Sequence, residues 1–187
     1  MKTKDFLLVA LAPFALLWLP LVGNHTVEGC HWTLSDFVVM YCLLATTVFL
    51  YRLLITRRWS NLAYKLGAAV AVGAGFLLTW VNLAVQIVGD DNPAFVLYFL
   101  AMVIGLAGVG VARFQPAGMA KAAFATAAAL FLIPIIAVAC WPADFSPGVP
   151  QVFALNFGFV LMFAVSGFLF RHAATQQAAP VSLSRNL

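Results

Sequence analysis

The sequence predicts an all-α membrane protein, a polytopic bundle of six transmembrane helices. Two observations carry this prediction: the composition is too apolar for a soluble fold, and the apolar residues form long continuous runs. Of the 187 residues, 64% are hydrophobic and 9% are charged, and the mean hydropathy is +1.02. Soluble domains contain about 45–50% apolar and about 25% charged residues. The composition therefore excludes a soluble enzyme, a disordered chain and a DNA-binding domain, so nucleic acid is not an expected partner.

Each apolar run is long enough to cross the hydrocarbon core of a bilayer, which takes about 20 helical residues. Lipid offers no partner to backbone N–H and C=O groups, so such runs are helices, whereas a β-barrel would show short alternating segments. The six runs cover residues 6–22, 34–54, 66–88, 93–112, 119–141 and 152–170. We expect a single bundle over residues 1–172, followed by a polar cytoplasmic tail, residues 173–187, that frays.

The distribution of charge supports this number of spans. In a six-span arrangement all 10 Lys and Arg residues fall on one side of the membrane, and most acidic residues fall on the other. Positively charged connections stay in the cytoplasm, so both termini are expected there, in a bacterial inner membrane. One span more or fewer would scatter the basic residues over both sides.

Small residues indicate which helices pack closely, because they let backbones approach each other in lipid. Helices three, four and five carry such residues at three- or four-residue spacing, so we expect these three helices to be tightly packed. The small residues of helices three and four are Gly67, Ala71, Gly75, Ala101, Gly105, Gly108 and Ala112. In helix five, Pro134 removes a backbone donor, which should kink the helix and free the carbonyl near Leu130.

One face of helix three and the turn after it predict a polar vestibule open to the outside. Polar groups at this depth are costly unless they are paired or hydrated, and an acidic mouth would suit a cation or a polar head group. The candidate vestibule residues are Thr79, Asn82, Gln86, Asp90, Asp91 and Asn92. The alternative, which the residues alone favour, is ordinary hydrogen bonding between helices plus a tight turn with Asn92 as the N-cap of helix four.

The first outer loop holds four possible metal ligands, His25, Glu28, Cys30 and His31. Their spacing matches no strong metal motif, and a loop without a metal is the favoured interpretation. Cys30 and Cys140 both face the outer, oxidising compartment, which allows a disulfide between them.

Helix two should begin with a capping box, because Thr33 precedes Asp36 by three residues. No catalytic residue and no cofactor are predicted, since the spans hold no mid-depth His for a haem and the chain has no Walker loop or nucleophile elbow. An enzyme is therefore the less favoured class.

Two stretches of the chain carry a distinctive pattern. One is Trp32–Val39, and the other runs from Trp80-Val81-Asn82 through Gly89 to Asn92-Pro93-Ala94. They resemble a family of small bacterial inner-membrane proteins, over helices two to four. The resemblance implies an inner-membrane location and brings no assigned activity.

Two function classes remain open. The first is a non-enzymatic accessory, assembly or stabilising membrane protein, which acts through helix–helix contacts with other membrane-protein subunits or with itself. The second is a small transporter or channel that uses the vestibule. A hydrated cavity reaching Asn82 would favour transport, and a dry, filled contact there would favour the accessory role. The lipid bilayer is a partner in both cases.

Overall fold

A computed structural model describes residues 3–26, 31–56, 61–85, 87–88, 93–141 and 148–183, with the backbone alone for residues 3–6 and 178–183. All regular secondary structure in these ranges is α-helical. The helices are α1 Thr3–Thr26, α2 Leu34–Thr56, α3 Leu62–Val85, α4 Phe95–Ala112, α5 Pro116–Cys140 and α6 Val149–Leu183. Each of the six is long and apolar enough to cross a membrane, so the predicted all-α membrane fold is confirmed.

The helices begin and end at residues other than the bounds of the apolar runs. α4 begins at Phe95 with Ala94 as its N-cap rather than at Pro93, and Asn92, the predicted cap, lies outside the described residues. α6 continues to Leu183, so the tail that was expected to fray is helical as far as that residue. An apolar run marks the part of a helix that suits lipid, whereas the helix continues as long as its backbone hydrogen bonds are made.

The chain divides into two compact units, residues 1–57 and 58–187. The first unit is a hairpin in which α1 packs against α2. Phe14 of α1 stacks against Tyr41 of α2 with ring centroids 4.8 Å apart, and the Tyr41 hydroxyl donates to the Ala10 carbonyl at 3.3 Å. The single bundle predicted for residues 1–172 stays a prediction.

The second unit is a four-helix bundle in which α5 packs against both α4 and α6. The backbones of α4 and α5 approach each other closely at their small residues. A Cβ atom added to Gly108 would lie 2.6 Å from the Cβ of Ala122, and one added to Gly118 would lie 2.9 Å from the Cα of Ala112. The predicted close packing of these two helices is confirmed.

α3 packs mainly against α6 and only lightly against α4, which differs from the expected group of helices three, four and five. A Cβ added to Gly67 would lie 3.2 Å from the Phe170 ring, and the Ser166 hydroxyl donates to the Gly67 carbonyl at 2.9 Å. Two turns further along α3, Gly75 lies against the Met102 side chain of α4. The glycines of α3 therefore accommodate large side chains, Phe170 of α6 at Gly67 and Met102 of α4 at Gly75, rather than the backbone of α5.

The four-helix unit has a basic end, where α3 and α5 begin and α4 ends. The described Lys and Arg residues of the unit all lie toward this end, and they are Lys65, Arg113, Lys121 and Arg171. Tyr64 joins the helices there: its hydroxyl donates to the Phe114 carbonyl at 3.1 Å and its ring packs edge-on against Phe170 at 5.2 Å. The opposite end, where α3 and α5 end and α4 and α6 begin, is called the far end below.

Candidate functional site

The polar face of α3 meets α4 at the far end. Asn82 is only 2% exposed, and its side-chain nitrogen donates to the Phe95 carbonyl of α4 at 3.3 Å. The Thr79 hydroxyl donates to the Gly75 carbonyl of its own helix at 2.8 Å, a bond that satisfies the hydroxyl without a partner from another helix. Asn82 therefore forms a buried contact with α4, whereas Thr79 is half-buried and bonds only its own helix.

The remaining candidate vestibule residues lie outside the described part of the chain. They are Gln86, Asp90, Asp91 and Asn92. The vestibule as a whole therefore stays a prediction.

A second buried asparagine, which the sequence analysis missed, lies at the proline of α5. Pro134 has no backbone N–H, so the carbonyl of Leu130, four residues earlier, has no donor in its own helix. Asn156 of α6 supplies that donor: its side-chain nitrogen donates to the Leu130 carbonyl at 2.9 Å. The proline in a long apolar run was the available signal, because a freed carbonyl in lipid needs a donor from a neighbouring helix.

Three buried polar atoms toward the far end have no hydrogen-bond partner among the described residues. They are the Oδ1 atoms of Asn82 and Asn156 and the hydroxyl of Tyr98, in side chains that are at most 2% exposed. An unpaired buried polar group costs about 1–3 kcal/mol.

All three side chains border the same apolar core. Tyr98 belongs to this core, and so do Leu78, one turn before Asn82, and Val152, one turn before Asn156. Two amide oxygens accept hydrogen bonds, and a phenol hydroxyl donates or accepts one. These three groups can therefore form hydrogen bonds with a small polar molecule. None of the three is a charged acid, a base or a nucleophile.

The loop between α1 and α2 is closed by Asn24. The Trp32 N–H donates to the Asn24 Oδ1 at 2.8 Å, and the Asn24 Nδ2 donates back to the Trp32 carbonyl at 3.4 Å. The capping box that follows is confirmed, because the Thr33 N–H donates to the Asp36 carboxylate at 2.8 Å and the Asp36 N–H donates to the Thr33 hydroxyl at 3.4 Å. Side-chain hydrogen bonds thus hold the backbone at Trp32 and Thr33, directly before α2.

The candidate metal ligands are described only in part. His25 and His31 are exposed, whereas Glu28 and Cys30 lie outside the described residues. Within the part of the chain that the structure describes, no three His, Cys, Asp or Glu side chains are grouped so that they could hold a metal ion. Cys140 is exposed with an unbonded thiol. The metal site and the Cys30–Cys140 disulfide both stay predictions.

The chain was compared with known proteins by family and by structure. No protein-family model matches the chain, and neither a curated protein nor a solved structure matches it significantly.

Proposed function

We propose that this integral membrane protein is a non-enzymatic accessory, assembly or stabilising protein that acts through contacts between its helices and those of a partner. We further propose that it resides in a bacterial inner membrane with both termini in the cytoplasm. The observation that carries the accessory role is the burial of Asn82 at 2% exposure, bonded to the backbone of α4. A buried contact between helices at this position favours helix packing over a solute path.

The exposed apolar surface supports this role, because it offers area to a partner helix as well as to lipid. The hairpin unit presents Leu19 at 73% exposure and Trp18 at 66%, and α4 presents Val111 at 85%. Most Asp, Lys and Arg side chains described in the spans lie near helix ends, as with Asp36 in the first turn of α2; Arg171 is the exception, because α6 continues past it to Leu183. A relay of protons or ions across the membrane would need ionisable groups at mid-depth.

Site-specific photo-crosslinking in native membranes tests the accessory role. A photoreactive amino acid would replace one exposed residue in several helices, at Leu19, Leu34, Val111 and Phe168, with the buried Leu130 as the matched control. We expect the same second chain, identified by mass spectrometry, to be captured from at least two exposed positions and not from Leu130. A second copy of this chain would count as that partner.

Adducts with lipid alone at every exposed position would overturn the accessory role, since an assembly protein must touch its partner somewhere on its apolar surface. Crosslinks to many unrelated chains in proportion to their abundance would overturn it equally. Both outcomes would leave the six-helix membrane fold intact.

A second candidate function, a small transporter or channel, is favoured by one specific observation. The Oδ1 atoms of Asn82 and Asn156 and the hydroxyl of Tyr98 are buried without hydrogen-bond partners among the described residues. Such groups would bind a polar solute or the water along its path.

Cysteine accessibility separates the two candidates. Asn82→Cys would be placed in a chain whose own three cysteines are replaced by Ala, with Leu78→Cys, one turn deeper and equally buried, as the matched control. If the accessory role is correct, a membrane-impermeant thiol reagent labels neither. Rapid labelling at position 82 with none at position 78 would demonstrate a water-filled path to Asn82 and would favour transport.

A further inference from the structure

A groove of about 400 Å³ lies between α5 and α6 toward the basic end of the four-helix unit. Its walls are mostly apolar, formed by small alanine side chains and by Phe124, whose ring packs edge-on against Phe168 at 5.1 Å. Two cations, Lys121 from α5 and Arg171 from α6, and the Thr175 side chain complete the lining. The groove therefore combines an apolar floor with two positive charges.

The two cations lie about one hydrocarbon thickness away from the far end of their helices. From Val149, where α6 begins, the helix rises about 33 Å to Arg171, and from Lys121 to Cys140 at the other end of α5 it rises about 28 Å. The hydrocarbon core of a bilayer is about 30 Å thick. If α5 and α6 span the membrane, both charges sit at its boundary, with Phe124 one turn deeper than Lys121.

The positive charge of the groove is not neutralised by the part of the chain that the structure describes. Among the residues that the structure describes, no carboxylate lines the groove. Among the described residues the acidic side chain is that of Asp36, which is bonded to Thr33. Lys121 and Arg171 are exposed and line the same groove, so their two positive charges add up there. A negatively charged group in the groove would be attracted by both Lys121 and Arg171.

We propose that this groove is a binding site for one anionic phospholipid. The phosphate lies between Lys121 and Arg171, the rest of the head group points toward Thr175, and an acyl chain extends along Phe124. Basic pockets between transmembrane helices are suited to anionic head groups, and the apolar floor accounts for the acyl chain. A zwitterionic lipid fits less well, because its own cation would join two positive side chains.

The test uses the full chain reconstituted in vesicles of phosphatidylcholine that contain about one-fifth phosphatidylglycerol. After mild detergent extraction, native mass spectrometry counts the lipid molecules that remain bound to the protein. The test variant is Lys121→Gln with Arg171→Gln. The matched control is Lys65→Gln with Arg113→Gln, which removes the same charge from the same end of the unit. We expect the test variant to lose phosphatidylglycerol binding by about tenfold or more and the control by less than about twofold.

Three outcomes would overturn the proposal. Equal losses in the two variants would show general attraction to an anionic surface rather than a site. Equal occupancy by phosphatidylcholine would remove the requirement for net negative charge, and displacement by inorganic phosphate would identify a free anion instead of a lipid as the ligand. If the test variant does not fold, phosphatidylglycerol binding is measured on the unaltered chain at increasing NaCl concentration. We expect binding to weaken steeply as NaCl is raised. Binding that does not change with salt would contradict the proposal.

Discussion

Tyr64 and Tyr98 are both buried tyrosines of the four-helix unit, at 0% and 1% exposure, and they lie toward opposite ends. The Tyr64 hydroxyl donates to the Phe114 carbonyl, whereas the Tyr98 hydroxyl has no partner among the described residues. The partner of Tyr64 comes from the backbone between α4 and α5, where Arg113 and Phe114 have positive φ angles of 47° and 63°. At the basic end, the backbone conformation of a turn thus presents a carbonyl to a side chain.

The contact that α4 makes also differs between the two ends. Toward the basic end, α4 and α5 come together at Gly108, Ala112 and Gly118, with no room for further atoms. Toward the far end, large side chains such as Tyr98 and Phe159 fill the core, and buried polar atoms are left over. At the basic end, α4 thus meets α5 without room for a larger side chain, while the far end retains buried groups that can form further hydrogen bonds.

The largest expected effect comes from filling the close approach at the basic end. In Gly108→Ala the new Cβ would lie 2.6 Å from the Cβ of Ala122, and a helix must shift because Ala122 has no flexible side chain to move. We expect the free energy of unfolding to fall by about 1–3 kcal/mol. Gly110→Ala is the matched control, because nothing lies within 4 Å of its added Cβ; it should leave stability unchanged or raise it by up to about 1 kcal/mol. Unfolding in SDS followed by circular dichroism measures both, and equal losses would contradict the close approach.

The second prediction concerns the far end. Asn156→Leu removes the donor to the Leu130 carbonyl, and we expect a loss of about 1 kcal/mol in the free energy of unfolding. Pro134→Ala provides the control, since the new backbone N–H at position 134 bonds the same carbonyl. In the Pro134→Ala background, Asn156→Leu should therefore cost much less, which a double-mutant cycle of SDS unfolding measures. Additive effects would show that Asn156 does not compensate for the proline.

The last prediction compares the two buried tyrosines, and its smallest effect is the one expected for Tyr98→Phe. Tyr64→Phe deletes a paired hydroxyl and should lower the free energy of unfolding by about 0.5–1.5 kcal/mol. Tyr98→Phe deletes a hydroxyl that has no partner among the described residues, and stability should stay the same or rise slightly. Thermal unfolding of both variants in one detergent checks the difference. If Tyr98→Phe lowers the free energy of unfolding as much as Tyr64→Phe does, a molecule is bound to the Tyr98 hydroxyl at the far end. That result would favour a solute site there.

The fold was predictable from the sequence because lipid imposes it. A continuous apolar run must be helical, so composition and run length alone yield six helices, and the four basic residues described in the second unit lie together at one end as the charge pattern requires. The close approach of α4 and α5 was also predictable, because glycines at helical spacing such as Gly105 and Gly108 serve little purpose other than packing.

The arrangement of polar groups was not predictable in the same way. Asn156 sits in an apolar run with nothing beside it to mark its role, and its partner, the Leu130 carbonyl, lies in another helix. Which helix packs against which depends on complementarity of whole surfaces, so the preference of α3 for α6 could not be read from its own glycines. Lys121 and Arg171 illustrate the same limit, since the groove they share exists only once α5 and α6 are packed.

The bond between Asn156 and the Leu130 carbonyl also fixes how far along α5 the helix α6 can sit. Sliding α6 by one turn in either direction would bring Val152 or Val160 toward the open carbonyl, and neither side chain carries a hydrogen-bond donor. Axial slippage of these two helices would thus leave a bare carbonyl in the hydrocarbon, whichever way it occurred. Pro134 weakens α5 by one backbone hydrogen bond, and the carbonyl that it leaves open fixes α6 in a single axial register.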